Sequence, residues 1–476
     1  MPARRRSILV MMCFALATVV SAVSSLNVAL PDLARDTGAT PTQLQWVVDA
    51  YALVFAGLLL PAGAIGDRYG RRRVLLTGLA VYGGGALVAT TLSDPGALIA
   101  VRAVMGLGAA LIMPTTLSIV TANFPADERD RAVGAWAGVA GGSALLGLLV
   151  SGALLEVAGW SSVFLLSVVL AAIAFAGTLR VVPARDEHER KPLDPLGGAL
   201  SALALTALVW AFIEGPQRGW GDGLVVAGFA ATVVLGVAFV VWELRQAQPL
   251  LDPRLFRRRG FGSGSLSVFV QFFAAFGLIF VLLQFLQLVL GYSPLEAGAA
   301  LAPMALVMVA VAPRVPRLVE RVGVRPVGPV GLALMAAGLV VMSTMDAGSS
   351  YWHLLAGGLV LGLGMALATT PATTAIVSSL PDSEQGVASA VNDAAREVGG
   401  ALGIAVLGSV LADHVGRLGP GMDSAAFVDG FGAALLVGAA VLVAGALFVA
   451  LRAPGREGVA GEGGARPRAG DAAAVR

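Results

Sequence analysis

Long apolar runs recur along the chain, broken by short charged or turn-forming stretches. Runs of this length can cross a bilayer as helices. The pattern predicts helices over 8–31, 46–65, 74–93, 97–121, 132–155 and 163–182. Two more follow over 196–213 and 224–242, between charged links at 183–195 and 243–259. The last six cover 261–290, 297–312, 327–345, 352–376, 387–411 and 428–451. The start of the chain, with Arg4, Arg5 and Arg6 before an apolar run and small residues at 21–25, imitates a signal peptide. The apolar run continues through Asn27 to Pro31, however, and so makes a full span. The tail beyond Arg452 is rich in Gly, Ala and Arg and is expected to be disordered.

Charge tests this division. With fourteen spans, 27 of the basic residues fall on the side of the chain ends, 3 on the other side, and only Arg102 and Arg396 lie within spans. A wrong span count would scramble that asymmetry. The positive-inside rule then predicts cytoplasmic termini in a multi-pass protein of the cytoplasmic membrane. Composition agrees. Of the 476 residues 57% are hydrophobic and 13% charged, against about 25% charged in soluble domains. A net charge of +2 argues against a nucleic-acid partner. One cysteine and three scattered histidines leave no metal or disulfide framework.

The chain also repeats. Gly106-Leu-Gly108, Pro114 and Pro125-Ala-Asp-Glu128 match Gly362-Leu-Gly364, Pro371 and Pro381-Asp-Ser-Glu384, with the outer pairs offset by 256 residues. Asp67-Arg68-Tyr-Gly70 matches Glu320-Arg321-Val-Gly323 at an offset of 253. Spans one to six therefore repeat as spans nine to fourteen, with spans seven and eight inserted. Repeated halves around a midplane site are a transporter signature. The expected organisation is a first six-helix bundle at 1–182, a two-helix insert at 183–260, a second bundle at 261–452 and a tail at 453–476.

A charged, glycine-rich hinge joins spans two and three: Gly63, Gly66, Asp67, Arg68, Gly70, Arg71, Arg72 and Arg73. Its glycines allow close helix approach. Asp67 would end a helix, where the dipole disfavours an anion, so it needs a partner such as Arg68, Arg71 or a neighbouring helix N-terminus. A pairing of that kind can break and reform, as a cytoplasmic gate must. The second copy, Glu320, Arg321 and Gly323, has Val319 in place of Gly66 and is expected to pack less closely.

Gly63-x-x-Gly66-Asp67-Arg68-x-Gly70-Arg71-Arg72 resembles the signature between helices two and three of the major facilitator superfamily. Leu98-x-x-x-Arg102-x-x-x-Gly106-x-Gly108 resembles that superfamily's helix-four motif. The fourteen spans, Asn27-Val-Ala-Leu-Pro31, Gln45-Trp46, Leu290-Gly-Tyr-Ser-Pro-Leu-Glu-Ala-Gly298 and Gly386-Val-Ala-Ser-Ala-Val-Asn392 followed by Arg396-x-Val-Gly-Gly400 are similar to its fourteen-helix drug:proton antiporter branch. Two motifs depart from that branch. Ala22 stands where helix one often carries an acid, and the helix-five antiporter motif is reduced to Ser143, Gly147, Leu148, Ser151 and Gly152. The resemblance implies an all-α polytopic membrane protein of the major facilitator fold, two six-helix bundles plus two inserted helices. It further implies export of small hydrophobic drugs or antibiotics in exchange for protons. The partners would be the substrate, protons and the lipid bilayer, with the chain a monomer. No cofactor is expected, the proton gradient being the energy source, and no nucleotide loop or catalytic constellation marks an enzyme.

Charges within membrane spans are functional candidates by default. Arg102 is expected either to hold an anion and tune a carboxylate, or to snorkel to the outer interface. Asp49, one turn into span two after Trp46, is the proton-carrier candidate of the first half. Its alternative is a helix N-terminal carboxylate in outer water, which the dipole favours. Asp393, beside Asn392 and three residues before Arg396, fits an intrahelical pair or a transport role. Glu214 is expected in an outer loop. Asn27, Trp46, Tyr51, Gln284 and Gln287, with Asn392 and Asp393, are the candidates to line a substrate cavity; for the glutamines, interhelical hydrogen bonding is an equal reading. A coupled transporter of one specific metabolite shares every one of these features. A non-transporting receptor shares the spans but needs no gate.

Overall fold

The computed structural model describes residues 3–183, 194–247, 249–380, 385–415 and 423–453, with a few residues inside helices, Asp67 among them, described by backbone alone. The described residues are helical throughout, without a strand. The first bundle is α1 (Ala3–Thr37), α2 (Pro41–Tyr69), α3 (Arg71–Ala89), α4 (Pro95–Asn123), α5 (Ala126–Leu155) and α6 (Ser161–Val181). The insert is α7 (Pro195–Arg218) and α8 (Gly223–Glu243). The second bundle opens with α9 (Arg259–Leu288) and continues through the broken span α10 (Pro294–Ala300), α11 (Ala302–Val311) and α12 (Val315–Val322). It closes with α13 (Val324–Ser343), α14 (Tyr351–Ser378), α15 (Gln385–His414) and α16 (Ser424–Arg452). Counting α10–α12 as one, fourteen spans run in alternating direction, so both chain ends lie on one side. Twelve are long and apolar enough to cross a membrane. In the other two, α3 opens on Arg71, Arg72 and Arg73, and the apolar part of α5 is Gly142–Leu155.

The repeat reaches into backbone detail. α2 is entered through Gly38 and α10 through Gly291, 253 positions on, both at φ 69. Thr40 with Gln43 and Ser293 with Glu296 form capping boxes at the same offset. These satisfy orphan N–H groups that lipid would not. α2 ends at Gly70 (φ 97), whose N–H donates to Gly66 O at 3.1 Å; α12 ends at Gly323 (φ 92), whose N–H donates to Val319 O at 2.8 Å. Only glycine adopts such angles cheaply.

The expected span at 297–312 differs from a single helix. Its counterpart α2 has one internal proline, Pro61, whereas this span carries Pro303, Pro313 and Pro316. Each removes a backbone donor and disrupts the preceding turn, and the span breaks into α10, α11, a short 3-10 turn and α12.

Lipid supplies no hydrophobic drive between helices, so close backbone approach holds the bundles. A Cβ on Gly106 of α4 would strike Tyr51 O of α2, and one on Gly362 of α14 would strike Met304 O, its repeat equivalent. Gly108 approaches Tyr82 N (2.7 Å from a built Cβ), and Gly364 approaches Met335 N (2.6 Å). Gly147 of α5 lies against Ser21 of α1, and Gly403 of α15 against Phe273 of α9.

The two halves meet on the side away from the chain ends. Gln287 Nε2 of α9 donates to Val28 O of α1 at 3.0 Å. A Cβ on Gly152 would lie 2.7 Å from Leu295 Cα, joining α5 to α10, and Gly408 of α15 abuts Gln45 of α2. Ser409 Oγ of α15 donates to Phe212 O of α7 at 2.6 Å, so the insert joins the same far-side seam.

Gly106→Ala should lower thermal stability in detergent by about 1–3 kcal/mol, an overpacking cost. Gly84→Ala, with nothing within 4 Å of its built Cβ, should not. Equal unfolding temperatures for the two variants would contradict glycine-mediated packing.

Candidate functional site

Gly106 brings α4 onto α2, and Arg102 lies one turn earlier on α4. Arg102 is 1% exposed, so it is buried in the bundle and does not snorkel. Its Nε donates to Val47 O at 2.9 Å, and its guanidinium lies 4.2 Å from the centroid of the Tyr51 ring. The Tyr51 hydroxyl donates to Val19 O of α1 at 3.3 Å, and Tyr82 of α3 donates to the neighbouring Thr18 O at 3.2 Å. The motif arginine therefore ties α4, α2 and α1 together through a stacked ring, which a planar guanidinium suits better than an ammonium.

Asp49 lies on the opposite face of α2. Val47 and Tyr51 are four residues apart and share the face that meets Arg102; Asp49, two from each, points away. It shares its face with Gln45, which abuts Gly408 of α15 across the seam. Asp49 is 0% exposed, and neither carboxylate oxygen has a hydrogen-bond partner; the Gln45 amide is likewise buried and unpartnered. Among the described residues no ion pair joins Asp49 to Arg102. The expected tuning of Asp49 by Arg102 is corrected accordingly: helical geometry sends the two groups to opposite sides of α2. The reading of Asp49 as a carboxylate in outer water is corrected as well.

The second half adds a charged cluster on α15. Asp393 Oδ1 lies 3.8 Å from Arg396 Nη1, and the Arg396 guanidinium lies 4.7 Å from the Phe272 ring centroid of α9. Asn392 Oδ1 accepts from Thr373 of α14 at 3.2 Å. Next to Arg396 is Glu397, 8% exposed. Glu397 was not among the sequence candidates. The signal was there: an acid in an apolar span, at the open position of Arg396-x-Val-Gly-Gly400. The repeat supplies an internal control, since the matching positions of α5 are Ala137, Ala140 and Gly141. Asp49 and Arg102 likewise match Ala302 and Gly358. These charges are thus additions that the shared packing does not require.

Other candidates are engaged elsewhere. Trp46 Nε1 donates to Glu214 Oε1 of α7 at 3.3 Å, which ties the indole to the insert instead of to a cavity. Glu214 also pairs with Arg218 at 2.9 Å, within α7 and not in a loop. Gln284 donates to Phe280 O of its own helix at 2.8 Å, and Gln287 is spent on the seam bond to Val28. Asn27 is buried on α1. Phe272, Phe273 and Phe280 of α9 are buried packing residues.

The hinge is partly as expected. A Cβ on Gly66 would lie 2.9 Å from Thr115 Cγ2 of α4, a true close approach, while Gly63 has only an ordinary 3.8 Å neighbour in Pro114. Arg71 Nη1 donates to Ser118 O of α4 at 3.1 Å and Arg72 Nη2 to Leu179 O of α6 at 2.8 Å. Arg325, 253 positions after Arg72, donates to Ala450 O of α16 at 3.2 Å. These arginines hold carbonyls near helix C-termini, where cations are favoured. Arg68 is exposed over its neighbour Tyr69, at 5.7 Å from the centroid. Glu320 and Arg321 are also exposed. The Asp67 side chain lies outside the described residues.

Residues 11–251 and 264–473 match the Major Facilitator Superfamily. The chain belongs to that superfamily. It is 36% identical over 389 residues to the multidrug resistance protein Stp of Mycobacterium tuberculosis, covering 81% of this chain and 72% of that one. To the tetracenomycin C resistance and export protein of Streptomyces glaucescens it is 35% identical over 421 residues, covering 86% and 77%. Among solved structures, an auto-inhibited peptide transporter of the POT family superposes with a TM-score of 0.69 at 16% identity, over 94% of this chain and 96% of that one. A bacterial homolog of the human lysosomal transporter Spinster, inward-facing and unoccupied, gives 0.67 at 16% identity, over 95% and 97%. At such identities the structures share the fold alone.

A double-mutant cycle tests the separation of the two charges. Asp49→Asn and Arg102→Lys should add in thermal stability to within about 0.5 kcal/mol, as uncoupled sites do. A coupling energy above about 1 kcal/mol would contradict their placement on opposite faces of α2.

Proposed function

We propose that this chain is a secondary transporter that exports small hydrophobic compounds in exchange for protons by alternating access. The membership supports transport, and the names of the relatives support export of drugs or antibiotics. The observation that carries the proton is Asp49, a fully buried carboxylate without a partner at the seam between the halves. An unpaired charge there costs several kcal/mol. The neutral acid does not, so a proton on Asp49 permits the far side to close. Opening that side exposes Asp49 to extracellular water, where it takes up a proton; for exchange, that proton must leave to the cytoplasmic side before the far side opens again. The arginine asymmetry supports a cytoplasmic placement of the chain ends, which makes the far side extracellular and the arrangement inward-facing.

In this reading Arg102 acts as a positioning residue through Tyr51 and not as a proton partner. Glu397 and the Asp393–Arg396 pair supply polar groups of the second half, beside Phe272. The hinge around Gly66, with Arg71 and Arg72 holding the ends of α4 and α6, keeps the first bundle rigid on the cytoplasmic side as the halves rock.

The test is substrate-dependent proton movement in reconstituted vesicles. Wild type should move protons with each drug of a transported set, and Asp49→Asn should lose at least about 100-fold of coupled exchange, the scale of a removed acid–base group. Glu397→Gln should lower it less. Unchanged coupled exchange in Asp49→Asn would exclude it as the carrier, and an absence of flux with any of a broad drug panel would exclude multidrug export.

A further inference from the structure

The base of the inserted hairpin holds a further buried carboxylate, one that the proposed transport cycle does not use. Glu243 is the last residue of α8 and is 1% exposed. Its Oε2 accepts from Leu251 N at 3.3 Å, while its Oε1 is buried with no hydrogen-bond partner. That oxygen points at Asp194, the N-cap of α7. A Cβ added at Gly197 would collide with both Glu243 Oε1 and Asp194 Oδ2, so the two oxygens converge over one glycine. Asp194 itself is well supplied with donors. Gly197 N donates to Oδ1 at 2.8 Å, and Trp242 Nε1 lies 3.0 Å from Oδ1 and 3.1 Å from Oδ2. The arrangement has one carboxylate well supplied with donors and, aimed at it, the one oxygen of Glu243 that has none.

We propose that Asp194 and Glu243 hold one proton between them, forming a proton-binding site at the base of the insert. Glu243 Oε1 carries the hydrogen and donates it to Asp194 Oδ2. Asp194 is the anion because it sits at a helix N-terminus with N–H donors; Glu243 is the acid because it sits buried at a helix C-terminus, where an anion is disfavoured. Two ionised carboxylates so close would repel, and among the described residues Asp194 is the charged group bearing on Glu243. The link after α8 contributes the backbone of Leu251, and Arg245 on it is exposed. From α2, the segment packed on the start of α7 presents Gly57 and Pro61: built Cβ atoms put Gly57 2.9 Å from Ala202 and Gly198 2.8 Å from Pro61. Pro61 is two residues before Gly63, so the site sits beside the hinge. When the proton leaves to the aqueous phase on the side of the chain ends, the ends of α7 and α8 repel, and the contact of α7 with α2 next to the hinge loosens.

The full chain in lipid nanodiscs tests this without any transport assay, so its outcome is independent of the proposed antiport. Infrared absorption should show a protonated carboxylic acid band, to which Asp49 also contributes, that loses a component in Glu243→Gln and has that component shifted in Asp194→Asn. Thermal stability of the wild type should fall as pH rises from mildly acidic to mildly alkaline. In Glu243→Gln, whose amide can keep both the Leu251 acceptor and the donor to Asp194, the fall should be clearly shallower, the remainder coming from Asp49 and Glu397, and likewise in Asp194→Asn. The same acid band in wild type and Glu243→Gln would overturn the proposal. So would equal pH dependence of all three proteins, a failure of Glu243→Gln to fold, or a sodium dependence in place of the pH dependence.

Discussion

The proposed cycle depends on the burial of one carboxylate at a seam that has to open. Asp49 lies where α2 meets α15, on the side away from the chain ends, and its oxygens have no partners. Everything around it is built by close backbone contact, which tolerates no extra volume and little charge. A seam of this kind has two stable states, closed and dry or open and wet, because packed interfaces are not continuously deformable. In the proposed cycle the titratable group placed there couples its proton to that choice. In the proposed cycle the far-side bond from Gln287 to Val28 and the contact of Gly152 with Leu295 break when the seam opens, and neither involves a charge.

The two halves share a scaffold and divide the chemistry. Glycines at matching positions, Gly106 with Gly362 and Gly108 with Gly364, meet the same backbone groups of the equivalent neighbours. The intramembrane charges break that symmetry: Asp49 and Arg102 occur only in the first half, and Asp393, Arg396 and Glu397 only in the second. The insert is attached to both. Trp46 and Glu214 tie α7 to α2, and Ser409 ties α15 to α7. Movement of α2 against α15 must therefore stretch one of these ties. In the proposed cycle the insert is therefore part of the moving seam and not a passive spacer.

The fold was readable in the sequence to an unusual depth, for physical reasons. Lipid forces every span to be long and apolar, arginine accumulates on one side, and glycines mark close contacts. The broken span at α10–α12 was missed because hydropathy does not register that three prolines act together on the backbone. The site was less legible. Helix periodicity alone separates Asp49 from the face of Val47 and Tyr51, yet the family motif invites a pairing of Asp49 with Arg102 that the geometry does not make. Trp46 and Gln287 are polar groups in apolar helices, and sequence could not say whether each meets substrate or a neighbouring helix. Glu397 occupies the open position of Arg396-x-Val-Gly-Gly400, so the motif itself does not mark it. The Asp194–Glu243 contact joins residues 49 positions apart across a helical hairpin, which no local pattern announces.

The central claim is that protonation of Asp49 permits the far-side seam to close. Spin labels at positions 36 and 413, both exposed on the far side and one in each half, report the width of that seam once Cys13 is replaced by serine. In nanodiscs at acidic pH the distance distribution should be short and single. Raising the pH should populate a longer distance in the wild type, while Asp49→Asn should stay short throughout. A wild-type distribution that ignores pH, or an Asp49→Asn distribution that follows the wild type, would contradict the account.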